Sequence, residues 1–103
     1  MECSLKDKVI VVTGAGSGIG KAVVQEFLDA DAAGVVAVDI DDGLKNSCRD
    51  VIENYGDRLQ LVNGDVRKEE TAQKYTSIAM EHFGQIDVVV NNAAVSYVKT
   101  IIE

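Results

Sequence analysis

The stretch Val9-Ile10-Val11-Val12-Thr13-Gly14-Ala15-Gly16-Ser17-Gly18-Ile19-Gly20-Lys21 restricts what this chain can fold into more than any other. An apolar, β-branched run stops at four glycines set at every second position, and helical periodicity starts at once. Glycine has no Cβ, so it accepts positive φ and lets backbone come close to a ligand. The first N–H groups of a helix have no partner inside the helix, and the macrodipole leaves them partly positive. Strand, glycine turn and helix start therefore make a place where a pyrophosphate fits without any charged side chain.

Spacing decides which nucleotide pattern this is. The P-loop pattern G-x-x-x-x-G-K-[ST], anchored on Gly20 and Lys21, needs glycine where Ala15 stands and Ser or Thr where Ala22 stands. The G-x-G-x-x-G pattern lands on Ile19 when begun at Gly14 and on Lys21 when begun at Gly16. T-G-x-x-x-G-x-G fits, through Thr13, Gly14, Gly18 and Gly20. Two later segments follow in order: Gly64-Asp65-Val66, then Phe83-Gly84-Gln85-Ile86-Asp87-Val88-Val89-Val90-Asn91-Asn92-Ala93-Ala94. Together these motifs resemble the short-chain dehydrogenase/reductase family over nearly the whole chain, from about Lys8 to Val95.

Periodicity along the chain alternates between strand and helix. Lys8 to Thr13 reads as a strand buried on both faces. A helix from Ile19 to about Ala30 would place Ile19, Val23, Phe27 and Ala30 on one side. Val35 to Val38 is the second strand, ending at Asp39. Leu44, Cys48, Val51, Ile52 and Tyr55 then fall at helical spacing, with Asp41 or Asp42 to cap the start and Gly56 to end it. Leu59 to Val62 is a third strand. A helix from Glu69 to Phe83 would turn Ala72, Tyr75, Ala79 and His82 or Phe83 inward and stop at Gly84. Ile86 to Val90 is the fourth strand. The expected fold is α/β: a Rossmann-type doubly wound parallel sheet, strand order 3-2-1-4, with three helices. Residues 1–103 read as one incomplete domain, truncated after its fourth strand, because Ile86 to Val90 has the pattern of a strand paired on both sides.

Asp39 ends the second strand about twenty residues past the glycines, where a carboxylate can accept hydrogen bonds from ribose hydroxyls. The same charge repels a 2′-phosphate. The resemblance implies that members preferring the phosphorylated cofactor carry a basic residue where Ser17 or Ile40 stands, so NAD is expected over NADP. It further implies cofactor contacts from Gly14, Ser17, Gly18, Ile19, Gly20, Asp39, Asp65, Val66, Asn91, Asn92 and Ala93. Asp65 and Val66 would line the adenine, Asn91 would steady the sheet, and Asn92 would lie near the ribose on the nicotinamide side. Ala94 departs from the family's N-N-A-G by one methyl group. Thr13 is expected to tie the glycine turn to neighbouring backbone.

The family's reaction moves a hydride between NAD and a carbinol carbon, with a tyrosine as acid/base. A lysine four residues on lowers the tyrosine's pKa, which is needed because phenol at about 10 is a poor base at neutral pH. A serine and an asparagine complete the set, and all four lie beyond the fourth strand in the family. No catalytic residue is therefore assigned in this chain. Ser96-Tyr97-Val98-Lys99 has suitable residue types, but Tyr97 and Lys99 are two apart and would not face each other on a helix. His82 reads as a helix-end cation.

The formal net charge of −7 disfavours tracking along a nucleic-acid backbone. No stretch is apolar for long enough to span a membrane, and Met1 to Lys8 lacks the apolar core of a signal peptide. Cys3 and Cys48 lack metal-ligand spacing, and no metal site is expected. A cytoplasmic protein with a small-molecule substrate is the expectation, with a homo-oligomer possible for a full-length form. The alternatives are a non-catalytic NAD-sensing module and an unproductive truncated remnant.

Overall fold

The computed structural model describes residues 5–16, 18–40 and 43–91, apart from the side chain of Ser47. Strand β1 (Val9–Thr13) leads through the glycine turn into helix α1 (Gly18–Asp29), then β2 (Gly34–Asp39). Two short helices, α2 (Leu44–Ser47) and α3 (Arg49–Tyr55), and a 3-10 turn at Gly56–Arg58 lead to β3 (Leu59–Asn63). Helix α4 (Glu69–His82) and β4 (Val88–Asn91) follow. The four strands form one parallel sheet in the order β3-β2-β1-β4, as the alternation of elements predicts.

Strand periodicity sorts the core into two layers. Ile10, Val12, Val35 and Ala37 turn to the face covered by α1, α2 and α3, where they meet Val24, Leu28, Leu44, Cys48 and Val51. Val9, Val11, Val36, Val38 and Val62 turn to the other face, where α4 supplies Ala79 with Tyr75 and Ile78 beside it. Residues Val9 to Val12 are at most 1% exposed, so the unbroken apolar run is that of a central strand. Each such buried aliphatic side chain contributes about 1.5–3 kcal/mol of transfer free energy.

Three expectations are corrected. Helix α1 turns Gly20, Val24 and Leu28 inward; Ile19 is 74% exposed, and Val23 and Phe27 are only partly buried. The buried face is chosen by Gly20, which packs directly on the turn, and the next two residues at four-residue spacing follow it in. The second helix is not continuous. It bends at Cys48 (φ −102°, ψ 14°), which makes four helices rather than three. The bonds from Cys48 N–H to Leu44 O (3.0 Å) and from Ile52 N–H to Cys48 O (2.9 Å) run through the bend, so the apolar stripe stays on one side. Cys48 is fully buried, and burial pushes its thiol pKa up, as suits a packing residue. The N-cap of α2 is Gly43, without a side-chain cap bond; Asp41 and Asp42 lie outside the described residues.

Helix α4 buries Thr71 and Ala79, and Phe83 rather than His82 packs inward. Gly84 ends it at φ +79°, its N–H donating to Ala79 O (3.0 Å) and Met80 O (3.1 Å). Arg58 finishes α1 from a distance: Nη2 donates to Leu28 O (3.0 Å) and Ala32 O (2.7 Å), placing a cation at that helix's negative end. Asp87 pins β4 to β1. Its carboxylate accepts from Val9 N–H (2.8 Å), while its own N–H donates to Val9 O (2.8 Å). Among the described residues no helix is long and apolar enough to cross a membrane.

Candidate functional site

The carboxyl ends of β1, β2 and β3 converge, and the loops leaving them are bonded to one another. Ala15 N–H donates to Val38 O (3.1 Å), and Gly64 N–H donates to Asp39 O (2.9 Å). Between these loops lies a cavity of about 300 Å³ lined by Gly14, Asp39, Ile40, Gly64, Asp65, Val66 and Arg67. That volume is at the lower end of ligand pockets, which run from about 300 to 1,000 Å³, and suits one nucleoside better than a whole dinucleotide.

The glycine turn leads into α1 beside this cavity. Gly14 has φ +67°, a conformation that side chains resist. At Gly20 a Cβ would overlap the Gly14 carbonyl oxygen and stand 2.8 Å from Ala15 Cα, so the helix approaches the turn as closely as backbone allows. Gly18 is different. Apart from its chain neighbours and the helix's own backbone, no described heavy atom lies within 4 Å of where its Cβ would be, so a methyl group there meets no packed neighbour. The first N–H groups of a helix have no partner within it and carry partial positive charge, which suits an anion such as a diphosphate.

Asp39 accepts a hydrogen bond from Gly16 N–H at 2.7 Å, a charge-assisted length. The acid at the end of β2 thus holds the glycine turn while it lines the cavity. Asp65 is held by Arg67. The guanidinium donates from Nε to Oδ1 (3.0 Å) and from Nη2 to Oδ2 (2.8 Å), and Arg67 N–H also donates to Oδ1 (2.9 Å). The Arg67 side-chain bonds, followed by its backbone bond, bring the Asp65 carboxyl down to about 2.

Thr13 ties the end of β1 to the neighbouring strand through its hydroxyl. Its hydroxyl reaches across to β4, donating to Asn91 Oδ1 at 2.9 Å, with Val90 O at a longer 3.4 Å. Thr13 and Asn91 are paired in the sheet register, so the bond locks the ends of β1 and β4 together.

The structure therefore gathers Gly14, Asp39, Asp65 and Val66 around one cavity, sets Gly18, Ile19 and Gly20 in the first turn of α1, and puts Asn91 at the end of the neighbouring strand. Ser17, Asn92 and Ala93 lie outside the described residues, as does the segment Ser96 to Lys99. Ile40, Gly64 and Arg67 line the cavity without having been singled out as contacts. Each adjoins a residue that was, and Asp-x-Arg is a readable signal for a turn in which the acid bonds its own second neighbour. Among the described residues no group of three or more His, Cys, Asp or Glu side chains could hold a metal.

Comparison with known proteins agrees with this geometry. The profile of the family described as short chain dehydrogenase matches residues 8–103. The chain is 36% identical over 91 residues to 3beta-hydroxysteroid dehydrogenase 2 of Eggerthella lenta, covering 88% of this chain and 35% of that one. It is 38% identical over 91 residues to L-rhamnose 1-dehydrogenase (NAD(P)(+)) of a Sphingomonas species, covering 88% and 36%. Among solved structures, L-sorbose reductase from Gluconobacter frateurii, complexed with NADPH and L-sorbose, superposes with a TM-score of 0.79 at 32% identity, covering 90% of this chain and 35% of that one. The chain thus spans about a third of the length of the relatives it matches. With motif order, sheet order and profile in agreement, the chain belongs to the short-chain dehydrogenase/reductase family of oxidoreductases and corresponds to its amino-terminal part.

Proposed function

We propose that this chain is the NAD-binding portion of a dehydrogenase that moves a hydride between NAD and an alcohol or ketone. One observation carries the reading: the carboxylate at the end of β2 lines one cavity with Gly14 and holds the glycine turn through Gly16 N–H, just ahead of the start of α1. NAD, when bound, supplies the hydride acceptor or donor. The chain's own residues do the binding. The first turn of α1 receives the diphosphate with Gly18, Ile19 and Gly20, beside Ser17. Asp39 accepts hydrogen bonds from the adenosine ribose and its charge opposes a 2′-phosphate, which favours NAD over NADP. Asp65 and Val66 receive the adenine. Asn91 fixes the strand end that leads to Asn92 and Ala93 on the nicotinamide side.

The catalytic serine, tyrosine and lysine of the family have no counterpart at family spacing in this chain, so the reading assigns it binding and no chemistry of its own. Val88 and Val89 of β4 are 44% and 37% exposed, against at most 1% for Val9 to Val12 of β1. That exposed apolar strand supports the proposal that further polypeptide covers this edge in a longer enzyme. Missing catalytic groups equally suit a non-catalytic module that binds NAD and acts through a partner. Coding sequence beyond Glu103 containing a Ser and then Tyr-x-x-x-Lys separates the two readings.

The test of the site is calorimetric titration of NADH and NADPH into the purified chain. NADH is expected to bind more tightly. Asp39→Ala should weaken NADH binding about tenfold or more through loss of a charged acceptor, and Lys21→Ala by no more than about twofold. Lys21 pairs with Asp50 at 3.1 Å, away from the cavity. Equal effects of the two substitutions would undo the ribose assignment.

A further inference from the structure

The Asp65 carboxylate has about four lone-pair positions. Arg67 occupies three: two on Oδ1, from its backbone N–H and Nε, and one on Oδ2, from Nη2. One position on Oδ2 is left. The arrangement is asymmetric in exposure as well, since the Asp65 side chain is 14% exposed and that of Arg67 is 83% exposed. Arg67, which also lines the cavity, is the more exposed partner and leaves the acid a single acceptor direction. A planar guanidinium fork fixes the plane of the carboxylate as well as its distance, which an ammonium does not.

We infer that Arg67 is a positioning residue for base recognition: by fixing the Asp65 carboxylate with one acceptor site remaining, it makes the cavity select a base with an exocyclic amine over one with a carbonyl at that place. The inference rests on the NAD reading of the cavity. Adenine presents an amine donor there. Hypoxanthine presents a carbonyl, with its ring N–H one atom away. A carboxylate free to swing can follow that ring N–H and tolerate hypoxanthine, whereas a clamped one cannot. Asp65, brought down to about 2 by Arg67, stays an acceptor at every pH where the protein would be assayed.

The experiment measures affinity for NADH and for reduced nicotinamide hypoxanthine dinucleotide on the same preparations of wild type, Arg67→Ala and Arg67→Lys. Because both ligands share the diphosphate and both riboses, a loosened fold lowers both affinities together and leaves their ratio intact. Wild type is expected to prefer NADH about tenfold or more, the scale of a hydrogen bond to a charged group. Arg67→Ala should cut that preference to about threefold or less, and Arg67→Lys should restore only part of it. An unchanged or larger ratio in Arg67→Ala overturns the inference while leaving the NAD reading intact, and full restoration by lysine overturns the role of the fork. A wild-type chain that binds neither dinucleotide overturns the NAD reading and this inference with it.

Discussion

Gly20 and Gly18 belong to the same motif, yet their surroundings differ, and substituting each by alanine separates close backbone packing from the proposed anion site. At Gly20 the added methyl would overlap the Gly14 carbonyl oxygen and sit 2.8 Å from both Ala15 Cα and the Gly14 carbonyl carbon. Carbon atoms rest at about 3.5–4.0 Å, so helix and turn must separate by most of an ångström. Every obstructing atom is backbone, and no rotamer change relieves it. Overpacking of this kind costs about 1–3 kcal/mol, and the rigid obstacle puts Gly20→Ala at the upper end. Alanine's better helix propensity returns about 1 kcal/mol, leaving a net loss of about 2 kcal/mol. At about 4–8 °C per kcal/mol for a domain of this size, the melting temperature falls by about 8–16 °C. Gly18→Ala meets no described atom within 4 Å beyond its chain neighbours and its own helix backbone, so its stability should stay within about 0.5 kcal/mol of wild type. Its methyl enters the space assigned to the diphosphate, and NADH affinity should drop about tenfold or more, the scale of losing hydrogen bonds to a charged group. Urea and thermal unfolding followed by circular dichroism, beside NADH titration, read both quantities. Gly20→Ala with wild-type stability would refute the close approach, and Gly18→Ala with wild-type affinity would refute the anion site.

The corrected face of α1 predicts that Leu28→Ala, at a position 1% exposed, costs about 2–5 kcal/mol. Ile19→Ala, 74% exposed, should stay within about 0.5 kcal/mol in the same urea titrations, and the reverse ranking would restore the face expected from periodicity. Asp87 predicts an acid dependence: Val9 N–H first, and the Gln85 side-chain amide second, hold its carboxyl below the usual carboxylate range. A lowered folded-state pKa gives stability that is complete above the unfolded value of about 3.9 and fades as pH falls through the folded one. The stability difference between wild type and Asp87→Asn should therefore be present at pH 6, shrink below about pH 4 and be smallest near pH 2. A difference independent of pH would show that the charge is not what Val9 N–H uses.

Sheet order and the position of the site follow from signals that are local and strong. Val9 to Val12 has no polar interruption, Gly14 to Gly20 alternates with small residues, and Asp39 terminates a strand; each is visible without knowing what it touches. What could not be read depends on partners distant in sequence. Val23 and Val24, like Phe27 and Leu28, are nearly equal in hydrophobicity, so periodicity alone does not choose between the two faces. Gly20 chooses, and it does so by lacking a side chain, which a count of apolar residues scores as nothing. Thr13 bonds Asn91 because β1 and β4 run in the register Val12 to Val90 and Thr13 to Asn91, which no local pattern encodes. The bend at Cys48 likewise carries no proline or glycine to announce it.

One linkage changes what the motif means physically. Asp39 and the glycine turn are 23 residues apart, and sequence reading gives them separate tasks, ribose recognition and diphosphate binding. In the structure the Asp39 carboxylate accepts from Gly16 N–H at 2.7 Å, and a Cβ at residue 16 would stand 2.9 Å from the same oxygen. The acid can reach the turn because residue 16 is glycine, and the turn is held where it is because residue 39 is an acid. On the proposed NAD reading, the carboxylate that meets the sugar would also set the backbone beside the diphosphate, and the specificity and strength of cofactor binding would be physically coupled. Asn at position 39 keeps an oxygen for Gly16 N–H and loses only the charge, so relaxed discrimination against NADPH would come with an intact turn. Ala removes both, so loss of the hold on the turn adds to loss of the ribose acceptor, and binding of either dinucleotide weakens.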